Sequence, residues 1–275
     1  MAKHESLLYP YSGGKLNVRR LGRRHKGLLY TLIMIAVICT AWYFAARAIN
    51  RTLVLPDFVE TMRVFVASWT DKKVMTNLWI TLVRVFKGFA IGVAIGLPLG
   101  LLMGYSRTVE EALSPFINSI RQVPIMAWVP LSIIWFGLGD GPTIFLITMS
   151  CVFPLVLNLI HGVIAIDPNY KFAARSMGAG TWQIFRDIIF PGALPSFLNG
   201  CRMAMGLAWM SVICAEFIAT SSGFGFLMVE AQLRMRTPQL YALMIMSALV
   251  GFAMDRLIYF VEQRLTSWRF KNGSA

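Results

Sequence analysis

Two charged residues inside apolar stretches are the side chains whose chemistry most needs an explanation. Glu216 is the one acidic residue that we place deep in an apolar run, and Arg121 stands just before a proline. A charged group at membrane depth is costly unless it faces a cavity or a partner. Glu216 is therefore either a structural hydrogen-bonding group or a contact for a solute. Arg121 either attracts an anion or anchors its segment at the membrane interface.

The apolar run at 116–137 is interrupted by prolines. Broken helices at membrane depth are tolerated only where protein or a water-filled cavity satisfies the freed backbone groups. The break is either a packing kink or a place where a solute passes. The second possibility, together with the two charged residues, gives our candidates for a solute pathway: Arg121, Gln122, Pro124, Trp128 and Glu216.

The composition is that of a membrane protein. Of 275 residues, 57% are hydrophobic and 14% are charged, whereas about a quarter are charged in a typical soluble domain. The net charge is +13, but the basic residues lie between apolar runs and at the chain ends. There they anchor a protein at an anionic membrane face, so we expect a lipid bilayer as partner and no nucleic acid.

Familiar catalytic and metal-binding patterns are missing from the sequence. The four cysteines fall within apolar runs and lack metal-ligand spacing. Neither a GxSxG nor a GxxxxGK[ST] pattern occurs. We therefore expect no catalytic residue, no metal site and no cofactor, and no hydrolysis of ATP by this chain itself.

Six apolar runs are long enough to cross a membrane. They lie at about 28–46, 85–105, 116–137, 142–163, 200–220 and 240–260. The stretch 47–84 reads as an amphipathic helix at the interface, and 226–239 as a short amphipathic segment. In the second run, glycines recur every four residues from Gly88 to Gly104, which predicts close approach of a neighbouring helix.

The sequence thus predicts an all-α membrane protein with about six spanning helices. A basic tail at 1–27 precedes a transmembrane domain at 28–260, and a second tail occupies 261–275. Six spans place both termini on one side, and the distribution of Lys and Arg favours the cytoplasm for that side and for the loop at 164–199.

The 164–199 loop reads as two short helices joined by a glycine turn. Asp167 can cap the first helix, with Pro168 at its first position, and Gly178 would end it. Thr181 can cap the second helix, which Pro191 and Pro195 would stop before the next span. Such a pair can fit a partner's groove and move as a lever, although helices resting on the bilayer are the alternative.

The loop resembles the cytoplasmic signature of permease subunits of binding-protein-dependent ABC importers. That signature reads Glu-Ala-Ala, three residues, Gly, nine residues, then Ile-x-Leu-Pro. This chain has Phe172-Ala173-Ala174, Gly178, and Ile188-Ile189-Phe190-Pro191. Two positions depart from the pattern, because Phe172 replaces the usual Glu and Phe190 replaces the usual Leu.

Further motifs resemble the permeases for nitrate, taurine and aliphatic sulfonates, and the likeness covers roughly 50–268. These motifs are Leu55-Pro56, Arg121-Gln122-Val123-Pro124, Ala127-Trp128-Val129-Pro130-Leu131, Ile134-Trp135-Phe136-Gly137-Leu138-Gly139 and Ala215-Glu216-Phe217-Ile218-Ala219.

The resemblance implies a type I-like ABC importer permease in a bacterial inner membrane, with 164–199 as a cytoplasmic coupling loop. It implies a second permease subunit (we expect a homodimer), two ATPase subunits that bind ATP and Mg, and an extracytoplasmic solute-binding protein. The solute would be small and anionic. By this resemblance, the residues that face the ATPase are Ala173, Ala174, Gly178, Ala179, Trp182 and Phe185.

Two other functions compete with this one. A secondary carrier or channel would work without ATPase subunits, but it would usually show paired broken helices and several intramembrane charges. A membrane-embedded enzyme would need a catalytic arrangement, and the sequence offers none.

Overall fold

The computed structural model describes residues 16–49 and 51–266, with side chains from residue 29 onward. All regular structure in these ranges is helical. The helices are α1 (Leu16–Ile49), α2 (Phe58–Ser68), α3 (Lys72–Tyr105), α4 (Arg107–Ile120), α5 (Trp128–Phe136), α6 (Asp140–Ile164), α7 (Pro168–Ser176), α8 (Thr181–Ile184), α9 (Phe190–Glu216), α10 (Phe224–Leu233) and α11 (Thr237–Leu265).

The first of two structural units ends at Glu60, and α1 is its main element. Its part from Leu29 to Ile49 is long and apolar enough to cross a membrane, which agrees with the predicted first span. The helix begins at Leu16, inside the predicted tail, and residues 1–15 of that tail lie outside the described ranges. Near its end, the Trp42 indole donates a hydrogen bond of 3.1 Å to the Pro56 carbonyl.

In the second unit, α6 packs along both α3 and α9. The predicted close approach is confirmed, because the glycine stripe of α3 lies directly on α6. A Cβ added at Gly92 would lie 2.5 Å from Cys151 Cβ, and one at Gly100 would lie 2.8 Å from Leu159 Cβ. Small residues let the two backbones approach, so van der Waals packing holds the pair together.

Within the described ranges, five helices are long and apolar enough to cross a membrane, and a sixth span arises if the bent pair 107–136 counts as one. Several boundaries differ from the prediction. The second span starts at Lys72 rather than at 85, since α3 absorbs much of the stretch expected at the interface. The last span runs from Thr237 to Leu265, into the predicted C-terminal tail; residues 267–275 of that tail are not described.

The broken third span is confirmed, and its parts meet at an angle of 79°. The bend occupies residues 121–124, between α4 and a short 3-10 turn that begins at Ile125. Only Pro124 lies at the bend. Pro115 and Pro130 are accommodated within helices.

The predicted stop before the fifth span is wrong. Helical structure continues from Thr181 to Glu216, across both prolines. A π turn at Phe185–Ile189 precedes Pro191, and the Phe190 N–H donates to the Phe185 carbonyl. This wider turn accommodates the proline, which would clash with the carbonyl four residues earlier in a regular α-helix.

Two smaller expectations also fail. The N-cap of α8 is Gly180 rather than Thr181, and the Gly180 N–H donates to Gln183 Oε1 at 2.8 Å. The segment expected to be amphipathic forms α10, which is apolar and buries Phe224, Leu227 and Met228. It packs against α9 and α11 because it has no strongly polar face to turn toward water.

Candidate functional site

Helix α7 and the turn after it are fixed by local hydrogen bonds. Asp167 accepts from the Asn169 N–H at 2.8 Å, and Pro168 occupies the first turn, as predicted. At the other end, the Ala179 N–H donates to the Ala174 carbonyl at 3.0 Å, and the Gly178 N–H to the Arg175 carbonyl at 2.9 Å. This is a Schellman motif, and it requires the positive φ of +85° that Gly178 supplies.

The six predicted coupling residues divide by exposure. Ala173, Gly178 and Trp182 are exposed, whereas Ala174, Ala179 and Phe185 are half-buried. The half-buried group packs against a core cluster that includes Leu159 and Ile189. These three residues therefore pack helices α7 and α8 against the spans. The three exposed residues remain accessible to a partner.

A patch of exposed apolar side chains covers the same region. We call Tyr170, Phe172, Met177 and Trp182 the apolar patch; their exposures run from 61% to 87%. The Trp182 ring stacks on Phe185, with centroids 5.7 Å apart. Of these four residues, only Trp182 was among the predicted coupling residues. Phe172 was noted only as a departure from the signature, and nothing in the spacing of Tyr170 and Met177 separates them from lipid-facing side chains.

A cavity of about 720 Å³ lies between the broken span and the faces of α6 and α9. The lining residues of α6 run from Met149 to His161, and those of α9 from Met203 to Cys214. The bend between α4 and α5 forms the third side. Because the bend interrupts the helical backbone, side chains from both of its arms face one space.

Three of the five predicted pathway residues line this cavity: Arg121, Pro124 and Trp128. Gln122 is exposed but does not line it, and Glu216 lies elsewhere. Within the described ranges, Arg121 is the one Lys or Arg in the lining, no Asp or Glu lines it, and Arg121 forms no ion pair.

Glu216 is fully buried at the end of α9, in a polar cluster. Its Oε1 lies 2.7 Å from Arg84 Nη1, and Thr81 Oγ1 lies 2.8 Å from each carboxylate oxygen. The Gly225 N–H donates to Oε2 at 2.9 Å. These bonds compensate the carboxylate charge and hold the start of α10 against α3. Such contacts are those expected of a structural hydrogen-bonding group.

The cluster extends through Arg84 to the start of α6. Arg84 Nε donates to Asp140 at 2.8 Å, and Nη1 donates to the Ser222 carbonyl at 2.7 Å. Gly223 adopts a φ of +113° beside the Glu216 carboxylate, where a Cβ would clash. The 217–223 loop is thereby attached to two spans.

Sequence reasoning missed Arg84, because the predicted second span began at residue 85 and left Arg84 just outside it. The available signal was a lone arginine between Val83 and Val85 in an apolar run. Such a residue needs a counterion. Glu216 was the acidic residue predicted at membrane depth, so it was the candidate for that counterion.

A second intramembrane ion pair was also missed. Arg202 of α9 and Asp255 of α11 form two parallel hydrogen bonds, of 2.7 and 2.9 Å. Asp255 lies within the predicted sixth span, so Glu216 is not the one acidic residue at such a position. Parallel bonds of this kind are strong and directional, and they tie the last two spans together.

At the same end as the Glu216 cluster, Glu230 joins α10 to the first turn of α3. Lys73 Nζ lies 2.7 Å from Glu230 Oε2, and Arg234 also reaches the carboxylate. The hydrogen bond from Lys73 is the main cause that lowers the pKa of Glu230 below the ordinary carboxyl value. The carboxylate therefore stays charged at neutral pH and remains a partner for Lys73.

Residues 92–267 match the family of binding-protein-dependent transport system inner membrane components. The putative aliphatic sulfonates transport permease protein of Escherichia coli is 37% identical over 84% of this chain and 88% of its own length. The taurine transport system permease protein of the same organism is 30% identical, over 92% and 96%. The nitrate import permease protein of Synechocystis is 30% identical, over 84% and 86%.

Solved structures share the fold. One is a crystal structure of an amino acid ABC transporter with histidines, with a TM-score of 0.57 at 20% identity, covering 75% of this chain and 96% of that one. The family match covers more than half of the chain, and these relatives align over most of their own length. The chain belongs to the family of binding-protein-dependent transport system inner membrane components, and it is a multi-pass ABC transporter permease.

Proposed function

We propose that this chain is the membrane-embedded subunit of an ATP-driven importer for a small anionic solute. Two copies would form the pathway, and two ATPase subunits would bind ATP and Mg on the cytoplasmic side. A solute-binding protein would deliver the solute from the opposite side, and both termini of this chain would be cytoplasmic. Relatives named for sulfonates, taurine and nitrate support the choice of solute class.

The observation that carries the proposal is the connection between the apolar patch and the cavity. Helices α8 and α9 form one helical run, from Thr181 at the patch to Glu216 beyond the cavity. The lining residues of α9 stand on this run. A displacement imposed on α7 and α8 by a closing ATPase dimer would therefore move one wall of the cavity.

The chemistry of the apolar patch predicts how the ATPase binds. Phe172 stands in place of the family's usual Glu and is 61% exposed. Exposed apolar groups of this size mark protein contacts. We propose that aromatic packing replaces an ionic contact at this position, with Trp182 as an anchor.

The solute class is supported by the charge of the cavity. Arg121 supplies a guanidinium without an acidic neighbour in the described lining. An anion gains from such a field in a low-dielectric site, whereas a cation is repelled.

The test of ATPase docking is a Trp182→Ala variant in the transporter reconstituted with its ATPase and binding protein. Loss of a buried aromatic anchor at an interface costs about 2 kcal/mol or more. We expect weaker co-purification of the ATPase and reduced ATP-dependent uptake of sulfonate or nitrate into proteoliposomes.

The matched control is Trp79→Ala. Trp79 is 68% exposed, near the start of α3, at the other end of the bundle. We expect the ATPase to co-purify with this variant as it does with the parent protein. Uptake that persists without ATP, or equal behaviour of the two variants, would favour a carrier that works alone.

A further inference from the structure

The cavity offers hydrogen-bond donors without any carboxylate. Arg121 and His161 are its two basic side chains, and no aspartate or glutamate occurs in the described lining. Most of the remaining wall is apolar, with Trp128, Phe153 and Leu207 as examples. A solute that fits this lining carries acceptor oxygens and an apolar body.

Ser211 is the second observation that points to a ligand. It lines the cavity and is 3% exposed. Its Oγ is the one buried side-chain nitrogen or oxygen atom, among those described, that has no hydrogen-bond partner. Serine in a helix normally donates to the carbonyl three or four residues earlier, and an unpartnered buried hydroxyl is destabilising.

Ser150 shows the ordinary arrangement in the same cavity. Its Oγ donates to the Leu146 carbonyl at 2.9 Å, so its proton is already engaged. Thr148, on the next position but one, likewise donates to the Ile144 carbonyl at 2.8 Å. Ser211 thus differs from these two residues, because its hydroxyl hydrogen is not engaged in a hydrogen bond. A change of one side-chain rotamer can direct that hydroxyl group into the cavity.

We infer that Ser211 is a solute-binding residue, and that the cavity takes a short organic anion without an ammonium group. Ser211 donates to an oxygen of the acid group or its chain, Arg121 provides the positive charge, and His161 adds a ring nitrogen to the polar part of the lining. The apolar wall packs against the carbon chain. This inference rests on the proposed function.

An ammonium group finds no carboxylate partner in the described lining. The nearest buried carboxylate along α9 is Glu216, which Arg84 neutralises and which does not line the cavity. A zwitterion would therefore lose the hydration of its cation without gaining an ion pair in return. An inorganic anion such as nitrate would leave the apolar wall uncovered.

The test uses ethanesulfonate and taurine, which differ only in the amino group of taurine. Equilibrium binding of each is measured on the purified full-length chain in nanodiscs, with nitrate as a third probe. We expect ethanesulfonate to bind about tenfold more tightly than taurine, because an unpaired buried ammonium is costly. Nitrate should bind more weakly than ethanesulfonate.

Variants test the residue assignment. Ser211→Ala should weaken ethanesulfonate binding about tenfold, the value expected for a lost hydrogen bond to a charged group. Ser150→Ala should leave the affinity within about twofold. The thermal midpoint of Ser211→Ala should equal or exceed that of the parent, since no protein hydrogen bond is removed.

Several results would overturn the inference: no measurable binding of ethanesulfonate, equal or tighter binding of taurine, or unchanged affinity in Ser211→Ala. ATP-dependent uptake by the reconstituted transporter is measured in parallel. If uptake is normal while these binding results fail, the inference falls and the proposed function stands. If uptake does not depend on ATP, the proposed function itself falls.

Discussion

At the residue scale, the charges inside the membrane region have different partners and hence different roles. Glu216 and Arg84 neutralise each other in a fully buried cluster, whereas Arg121 stands beside a cavity without an ion pair in the described part of the chain. The buried ion pair balances its own charges and so contributes to the structure. Arg121 has no counterion among the described residues, so it makes the electrostatic potential of the cavity positive. The same residue type therefore serves packing at one position and, in the function we propose, solute attraction at the other.

Arg84→Met tests the structural role of the buried pair. It leaves the Glu216 carboxylate without its counterion, which costs about 3–5 kcal/mol for a buried pair. We expect a clear drop in the thermal unfolding midpoint of the detergent-solubilised protein. The double variant Arg84→Met/Glu216→Gln should recover part of the loss, because the uncompensated charge is gone.

Lys87→Met is the matched control for that experiment. Lys87 lies on the same helix but is exposed, so its removal should shift the midpoint little. Equal effects of the two substitutions would contradict the assignment of Arg84 to a stabilising ion pair.

At the element scale, two connections between helices bear on the movement that the proposed function requires. The glycine stripe of α3 packs directly on α6, so we expect these two helices to move together. Helix α9 carries α8 as its own extension, and the π turn at Phe185–Ile189 is the one irregularity within that run. The Schellman turn at Gly178 connects α7 to it.

Gly92→Ala tests the close approach of α3 and α6. The added Cβ would lie 2.5 Å from Cys151 Cβ, so the helices must separate, at a cost of about 1–3 kcal/mol. Gly206→Ala on α9 adds a Cβ with nothing within 4 Å and should be neutral or stabilising. Unfolding midpoints of the two variants, measured side by side, check this; equal midpoints would contradict the packing argument.

Gly178→Pro tests the connection between α7 and α8. Gly178 has a φ of +85°, and proline is restricted to about −65°, so the turn cannot keep its shape. Membrane insertion should be intact, because the residue lies outside the spans, while uptake becomes uncoupled from ATP hydrolysis. Gly180→Ala, at an ordinary φ of −72°, should transport normally. Normal uptake by Gly178→Pro would refute the lever.

At the scale of the whole molecule, α6 separates two ends with different chemistry. Its 25 residues span about 37 Å. The Arg84–Glu216 cluster lies at its start, and the apolar patch lies beyond its end. A polar, hydrogen-bonded end and an apolar, exposed end fit the proposed function, in which a solute arrives on one side and an ATPase binds on the other.

Opposite exposure of these ends is testable with introduced cysteines. In a variant whose four native cysteines are alanine, Met177→Cys should react with a membrane-impermeant maleimide only from the cytoplasmic side. Leu138→Cys should react only from the outside. Both parent side chains are largely exposed, at 87% and 76%. Labelling of Met177→Cys from outside would contradict the orientation and, with it, ATPase docking.

Much of this fold could be predicted from the sequence, because the position of a membrane span depends on the hydrophobicity of adjacent residues. The break near Pro124, the glycine stripe and the caps of α7 were all predicted from residues adjacent in sequence. Boundaries failed where a helix continues past its apolar stretch into polar residues, as at Lys72 and Leu265. The continuation through Pro191 was missed because a π turn leaves no simple sequence pattern.

The sequence by itself determined that this is a helical membrane protein with a paired-helix loop, because hydrophobic length, proline and glycine act locally. Only the tertiary structure decided which charges meet. Arg84 pairs with Glu216, 132 positions further along the chain, and Ser211 has no hydrogen-bond partner among the described residues in the cavity that Arg121 also lines. Such pairings depend on the rotation and register of packed helices, which no local pattern fixes.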